Sequence, residues 1–143
     1  MIERLVLSQA QWESMQAHVD SCAPLEGCGL LAGTAESVYE VLPVTNREHS
    51  PIRFRMDAAE QLRAFRTIDE LGLELLGIFH SHPADERSGS GQASGPSATD
   101  VEEAAYAVVH VIWSRHGGRW RAGGFWIEEG RFSSVSLRIT PGE

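Results

Sequence analysis

His80-Ser81-His82-Pro83 follows directly on the apolar run Leu73 to Phe79. On an extended segment, side chains at i and i+2 point to the same face, about 6 to 7 Å apart along the chain, so two imidazoles can converge on one cation. Two histidines alone equally suit a strand end whose side chains bond to backbone. A carboxylate changes the balance, because a catalytic zinc site commonly takes three protein ligands and leaves a fourth position to water. Asp100, in Pro96-Ser97-Ala98-Thr99-Asp100, is a candidate third ligand at the start of a helix. Such a site lowers the pKa of bound water from about 15.7 toward roughly 7, and the chemistry then needs a proton acceptor. Two histidines and a carboxylate also suit a non-haem iron oxygenase.

The elements around these residues can be read from periodicity. Ile2 to Leu7 alternates as a short strand, and Ser8 can cap a helix carrying Trp12, Met15 and Val19 at helical spacing, closed near Pro24. Gly27 to Gly33 and Val38 to Val44 form a hairpin around Thr34-Ala35-Glu36, with Glu26 at its entry. Asp57 begins a helix with Leu62, Phe65, Ile68 and Leu71 on one side, stopped by Gly72. Residues 84–96 are rich in Ser and Gly and are expected to be a flexible loop. A second cap follows at Ser97 or Thr99, with Asp100, Glu102 and Glu103 in a first turn that favours acids. Ala107 to Trp113, Arg119 to Ile127 and Phe132 to Ile139 read as three strands, with a turn at His116-Gly117-Gly118 and a bulge expected at Gly123-Gly124. The fold class is α+β with an antiparallel bias.

An upstream Glu, then His-x-His-Pro, then Ser-x-x-Asp resembles the JAMM (MPN+) metalloproteases, whose members include deubiquitinases and small standalone prokaryotic enzymes. Glu26-Gly27-Cys28-Gly29-Leu30-Leu31 is similar to the family's Glu strand, and Asn46 with Phe54 and Asp57 to the segment before its second helix. His80-Ser81-His82-Pro83 and Ser97-Ala98-Thr99-Asp100 complete a match over about residues 1 to 130. The resemblance implies a curved mixed β-sheet packed with two to three helices. It implies one zinc per chain on His80, His82 and Asp100, with Glu26 as proton acceptor and donor and Ser97 hydrogen-bonding the oxyanion. It further implies hydrolysis after the C-terminal Gly-Gly of a ubiquitin-like or sulfur-carrier protein. Whether the bond is isopeptide, linear or to a small adduct stays open, as does a homodimer against a monomer. A non-catalytic scaffold of the MPN type is the alternative; such members typically lose ligands that this sequence keeps.

In the family the second His and the Asp usually enclose ten residues, whereas His82 and Asp100 enclose seventeen. Loop closure scales as about 1.5RT ln n, so the extra length costs only roughly 0.5 kcal/mol and ligation by Asp100 survives it. The insertion bears instead on access to the site. Read without the other motifs, Glu26 is a solvated residue, Ser97 a helix cap and Cys28 a small buried apolar residue. His18, His49, His110 and His116 lack comparable spacing and read as structural or exposed.

The 143 residues carry 20 acidic against 12 basic side chains, a net charge of −8. That balance argues against nucleic acid, whose phosphates call for clustered Lys and Arg. One domain, residues 1–143, is expected, and at this length folding buries roughly 70% of the unfolded surface, enough for a core without staples. No apolar run approaches the roughly 20 residues of a membrane helix, the start lacks signal-peptide character, and two cysteines suit a reducing compartment, so a cytoplasmic location is expected. All 12 basic residues are arginine. GC-rich codon usage is the plain cause; an enzyme working amid lysine-directed modifiers would also escape modification by carrying no lysine.

Overall fold

The computed structural model describes residues 1–85 and 95–141. Seven strands and three helices follow in the order β1 (Arg4–Ser8), α1 (Gln9–Cys22), β2 (Cys28–Thr34), β3 (Ser37–Val44), α2 (Ala58–Glu70), β4 (Glu74–Asp85), α3 (Ala98–Glu103), β5 (Val108–His116), β6 (Arg119–Glu128) and β7 (Arg131–Thr140). The strands close into a barrel in the order β1-β3-β2-β4-β5-β6-β7. The expected antiparallel bias holds for β2–β3, β2–β4, β5–β6 and β6–β7. It fails at β4–β5, β1–β7 and β1–β3, which run parallel. Sequence distance is the reason: β4 and β5 are joined through α3, a crossover that a tight hairpin cannot replace.

Alternation along the strands sorts the apolar residues to two faces. One carries Leu31, Phe79, Val109, Val111 and Trp113, packed with Met15 and Val19 of α1 and Leu5 and Leu7 of β1. The other carries Cys28, Leu30, Ile78 and Val108, packed with Ala64 and Ile68 of α2. Ser8 caps α1 through a capping box with Gln11, and Asp57 caps α2 by accepting from the Glu60 N–H.

Three local expectations are corrected. The strand expected to end at Phe79 continues to Asp85, so residues 84 and 85 of the expected loop are strand, residues 95–97 lead into α3, and the rest lies outside the described residues. No bulge occurs at Gly123-Gly124, where β5 and β6 keep continuous register from Val108↔Ile127 to His116↔Arg119. Gly124 serves close approach instead: a Cβ there would lie 2.8 Å from both Leu137 Cδ2 and the Val135 carbonyl oxygen. Irregularities fall in β2, at Leu31/Ala32 and Ala32/Gly33, and in β4 between His82 and Asp85.

Candidate metal centre

β4 presents His80 and His82 on the α2 face, and α3 brings Asp100 to meet them. Asp100 Oδ2 lies 3.1 Å from His80 Nε2 and 2.9 Å from His82 Nε2. One ligand atom from each of the three falls within 4.8 Å of the others, and no other such group of three occurs among the described residues. The aim of Asp100 is set locally. Ser97 is the N-cap of α3, its Oγ accepting from the Asp100 N–H at 3.0 Å while its own N–H donates to Asp100 Oδ2 at 2.9 Å. The cap thus fixes the carboxylate toward the histidines.

The two imidazoles are held from several sides. Phe54 stacks on His80 with centroids 4.6 Å apart and planes 23° from parallel. Beyond His82, Arg115 of β5 donates to the Pro83 carbonyl from both Nε and Nη2, at 2.9 and 2.7 Å. Ser81, facing the other way and fully buried, accepts from the Gly27 N–H at 2.8 Å, and its N–H donates to the Gly27 carbonyl at 3.0 Å. This ties the turn before β2, and hence Glu26, to the strand between the histidines.

Glu26 is also clamped through its backbone. Its N–H donates to the Ser50 carbonyl at 2.8 Å, and its carbonyl accepts from Asn46 Nδ2 at 3.1 Å. Asn46 spends its full capacity here, donating also to Arg53 O and accepting from the Glu48 and Arg55 N–H groups. The side chain of Glu26 is 3% exposed and its Oε1 has no hydrogen-bond partner.

Electrostatics separate the two carboxyls. Burial pushes Glu26 up to about 8, with His82 opposing and Asp100 and Glu103 adding to the rise. Burial would also raise Asp100, but hydrogen bonding with His80 and His82, the coulombic pull of His80 and the Ser97 N–H hold it well below the carboxylate range. Burial lowers His80 and keeps it neutral, as a metal ligand must be. The donor set of two imidazoles and one ionised carboxylate fits an open, catalytic type of zinc site.

The structure therefore brings together Glu26, His80, His82, Ser97 and Asp100. Cys28 stands opposite His80 across the β2–β4 pair but outside the ligand group: it is fully buried, its thiol donates to the Val44 carbonyl at 3.5 Å, and burial pushes that thiol up to about 12. His18 bonds the Cys28 carbonyl and His116 pairs with Ser114. His110, read from the sequence as structural or exposed, lies buried beside His80, with centroids 6.2 Å apart. The sequence held one signal for it, a histidine in the centre of an apolar run. Ser81 and Arg115 carried none.

A cleft of about 380 Å³ opens beside His80 and Asp100, walled by Phe54, Met56, Ile78, Tyr106 and His110 among others. Among the described residues, no helix is long and apolar enough to cross a membrane.

Residues 8–123 match the family of prokaryotic homologs of the JAB domain. A probable TtuB-protein conjugate cleaving protease of Thermus thermophilus is 39% identical over 75% of this chain and 68% of its own. A desampylase of Pyrococcus furiosus is 40% identical over 85% of this chain and 81% of its own. A CysO-cysteine peptidase of Mycobacterium tuberculosis is 34% identical over 76% of this chain and 70% of its own. Among solved structures, a protein of Desulfitobacterium hafniense superposes with a TM-score of 0.82 at 30% identity, covering 96% of this chain and 94% of that one.

Proposed function

The chain belongs to the prokaryotic JAB family, of JAMM type, and from that premise we propose that it is a zinc-dependent peptidase cleaving after the C-terminal Gly-Gly of a ubiquitin-like or sulfur-carrier protein. The observation that carries this reading is the pairing of a converged His80-His82-Asp100 set with a buried carboxyl at Glu26 whose Oε1 has no hydrogen-bond partner. A scaffold has no use for that carboxyl, whose burial costs stability. The names of the three relatives, each a protease, peptidase or desampylase, support the same class. Two free thiols suit a reducing cytoplasm.

His80, His82 and Asp100 would hold one zinc ion, which when bound brings the pKa of a water toward neutrality and polarises the scissile carbonyl. Glu26 takes the proton of the attacking water and passes it to the departing amine. A nearby dication favours the carboxylate and so opposes the burial that raises this group. Ser97 uses a lone pair to cap α3, which leaves its O–H proton to donate to the developing oxyanion. Glycine at the last two substrate positions lets backbone lie close to the histidines.

The test is elemental analysis joined to turnover. Purified protein should hold about one zinc per chain and cleave a ubiquitin-like protein fused through Gly-Gly to a reporter amine. Absence of metal after zinc is supplied, or a zinc-loaded protein inert on every Gly-Gly conjugate, would move the reading to the scaffold.

A further inference from the structure

The three candidate ligands are not equally held. The side chain of His80 is fully buried against the stacked ring of Phe54, and Asp100 is aimed by the Ser97 cap, whereas the side chain of His82 is 18% exposed. His82 also stands at a break in the sheet. It pairs with Ser114 of β5 and the next pair is Asp85↔Arg115, so Pro83 and Ala84 have no place in the ladder. Pro83 is buried there and, as a proline, has only its carbonyl to satisfy. Arg115 answers that carbonyl with two guanidinium N–H groups, from Nε at 2.9 Å and from Nη2 at 2.7 Å.

The guanidinium is itself seated. Trp120, directly opposite Arg115 on β6, holds its ring centroid 5.0 Å from the guanidinium carbon, within the range of a cation–π contact. Trp120 packs against the α1-face core, and its Nε1 donates to Asp20 Oδ1 of α1 at 2.9 Å. A strut thus runs from α1 through Trp120 and Arg115 to the backbone one residue beyond His82. We propose that Arg115 is a positioning residue for the metal centre: it fixes the irregular end of β4 so that His82 keeps its aim at Asp100. This role rests on the zinc-dependent function proposed above. Contacts outside a ligand set orient the ligands, and losing one typically costs about 10- to 100-fold in metal affinity or activity. Lysine is no equivalent here, because a single ammonium reproduces neither the planar pair of donors nor the stacking on an indole.

The experiment measures zinc affinity by competition with a chromogenic chelator, and the visible absorption of the cobalt-substituted protein, in the unaltered chain, Arg115→Met and Arg115→Lys. Methionine keeps an apolar stem against Trp120 and removes the donors. Arg115→Met should bind zinc about tenfold or more weaker and lose kcat with KM held within about twofold. At saturating cobalt its spectrum should be displaced from that of the unaltered protein. Arg115→Lys should fall between the two in affinity. A residue that only stabilises the fold would lower the melting temperature of the metal-free protein and leave zinc affinity and cobalt spectrum unchanged; that result overturns the proposal. Arg115→Lys keeps the test decisive should Arg115→Met not fold: weakened zinc binding with unaltered circular dichroism supports the role, and affinity equal to that of the unaltered protein overturns it. Failure of the unaltered protein to bind zinc would overturn the proposed function and this role together, whereas equally tight binding by the unaltered protein and Arg115→Met overturns the role of Arg115 alone.

Discussion

The two faces of the β2–β4–β5 sheet share strands and differ in how completely they pack. On the α1 face, Leu31, Phe79, Val109 and Val111 meet α1 and β1, and the described residues leave a single buried polar atom of that cluster unpaired, Trp113 Nε1. On the α2 face, Leu30, Ile78 and Val108 continue into His80, His82 and His110, and there Glu26 Oε1, His80 Nδ1 and both nitrogens of His110 are buried without hydrogen bonds. One side is finished as a core. The other stops short of satisfaction where the ligands converge, and rule-breaking of this kind concentrates at functional sites. Ser81 belongs to the first side and holds Gly27, so the packed face positions the reactive one.

The contrast can be broken in graded steps. His82→Ala should lose the metal and bring hydrolysis below detection, while circular dichroism stays that of a folded protein, because the α1-face core does not depend on the ion. Unfolding would show that the two faces are not separable. Glu26→Gln should keep about one zinc per chain and lower kcat by roughly 10²- to 10⁴-fold, the usual worth of a general acid-base group. Ser97→Ala should cost about 10²- to 10³-fold in kcat, the scale of an oxyanion donor, and about 1 kcal/mol for the lost cap. A loss confined to stability would reduce Ser97 to its cap.

Two finer effects sharpen the comparison. Ser81→Ala leaves the Gly27 N–H buried without a partner and should destabilise the protein by about 1 to 3 kcal/mol in urea unfolding. Zinc should still bind, with kcat falling because Glu26 is less well placed. The smallest effect concerns pH in the metal-free protein. Glu26 is raised from 4.5 to about 8, so the folded state holds a proton that the unfolded state releases, and stability falls as pH rises across that interval. The lowered histidines His18, His80 and His110 act with the opposite sign, but only below about 6.5, where the unfolded state takes up protons. Between pH 7 and 8 the Glu26 contribution stands alone among these groups. Thermal melts should drop over that range and flatten in Glu26→Gln; an unchanged slope would mean that Glu26 is not the titrating group.

Much of the site was legible because its ligands sit close in sequence. His80 and His82 needed only an extended backbone, and Asp100 only a helix start whose cap, Ser97, also aims the carboxylate. Glu26 was legible through the pattern of glycines and leucines after it, not through its own surroundings. Ser81 and Arg115 were not legible, since each acts through pairing with a residue distant in the chain, Gly27 and Pro83, and His110 gave only the signal of a histidine inside an apolar run. The elements were largely readable from periodicity, whereas the barrel was not. Local pattern marks a strand but is silent on which neighbour it chooses, and three parallel pairings escaped for that reason. The glycines of β6 misled because the same residue type serves a bulge and a close approach.

The parallel seam has a consequence for how the molecule is made. β1 lies in register with β7 from Arg4↔Ser136 to Ser8↔Thr140, while the candidate ligands lie between His80 and Asp100. Closing the seam joins residues about 130 positions apart, and contacts of such long range form slowly because the loop entropy must be met before they contribute. The antiparallel β2–β3 and β2–β4 pairs join much nearer neighbours and can form earlier. A chain emerging during synthesis can therefore bring its histidines and Asp100 together while its barrel is still open, so that metal capture and barrel closure become separate events in time.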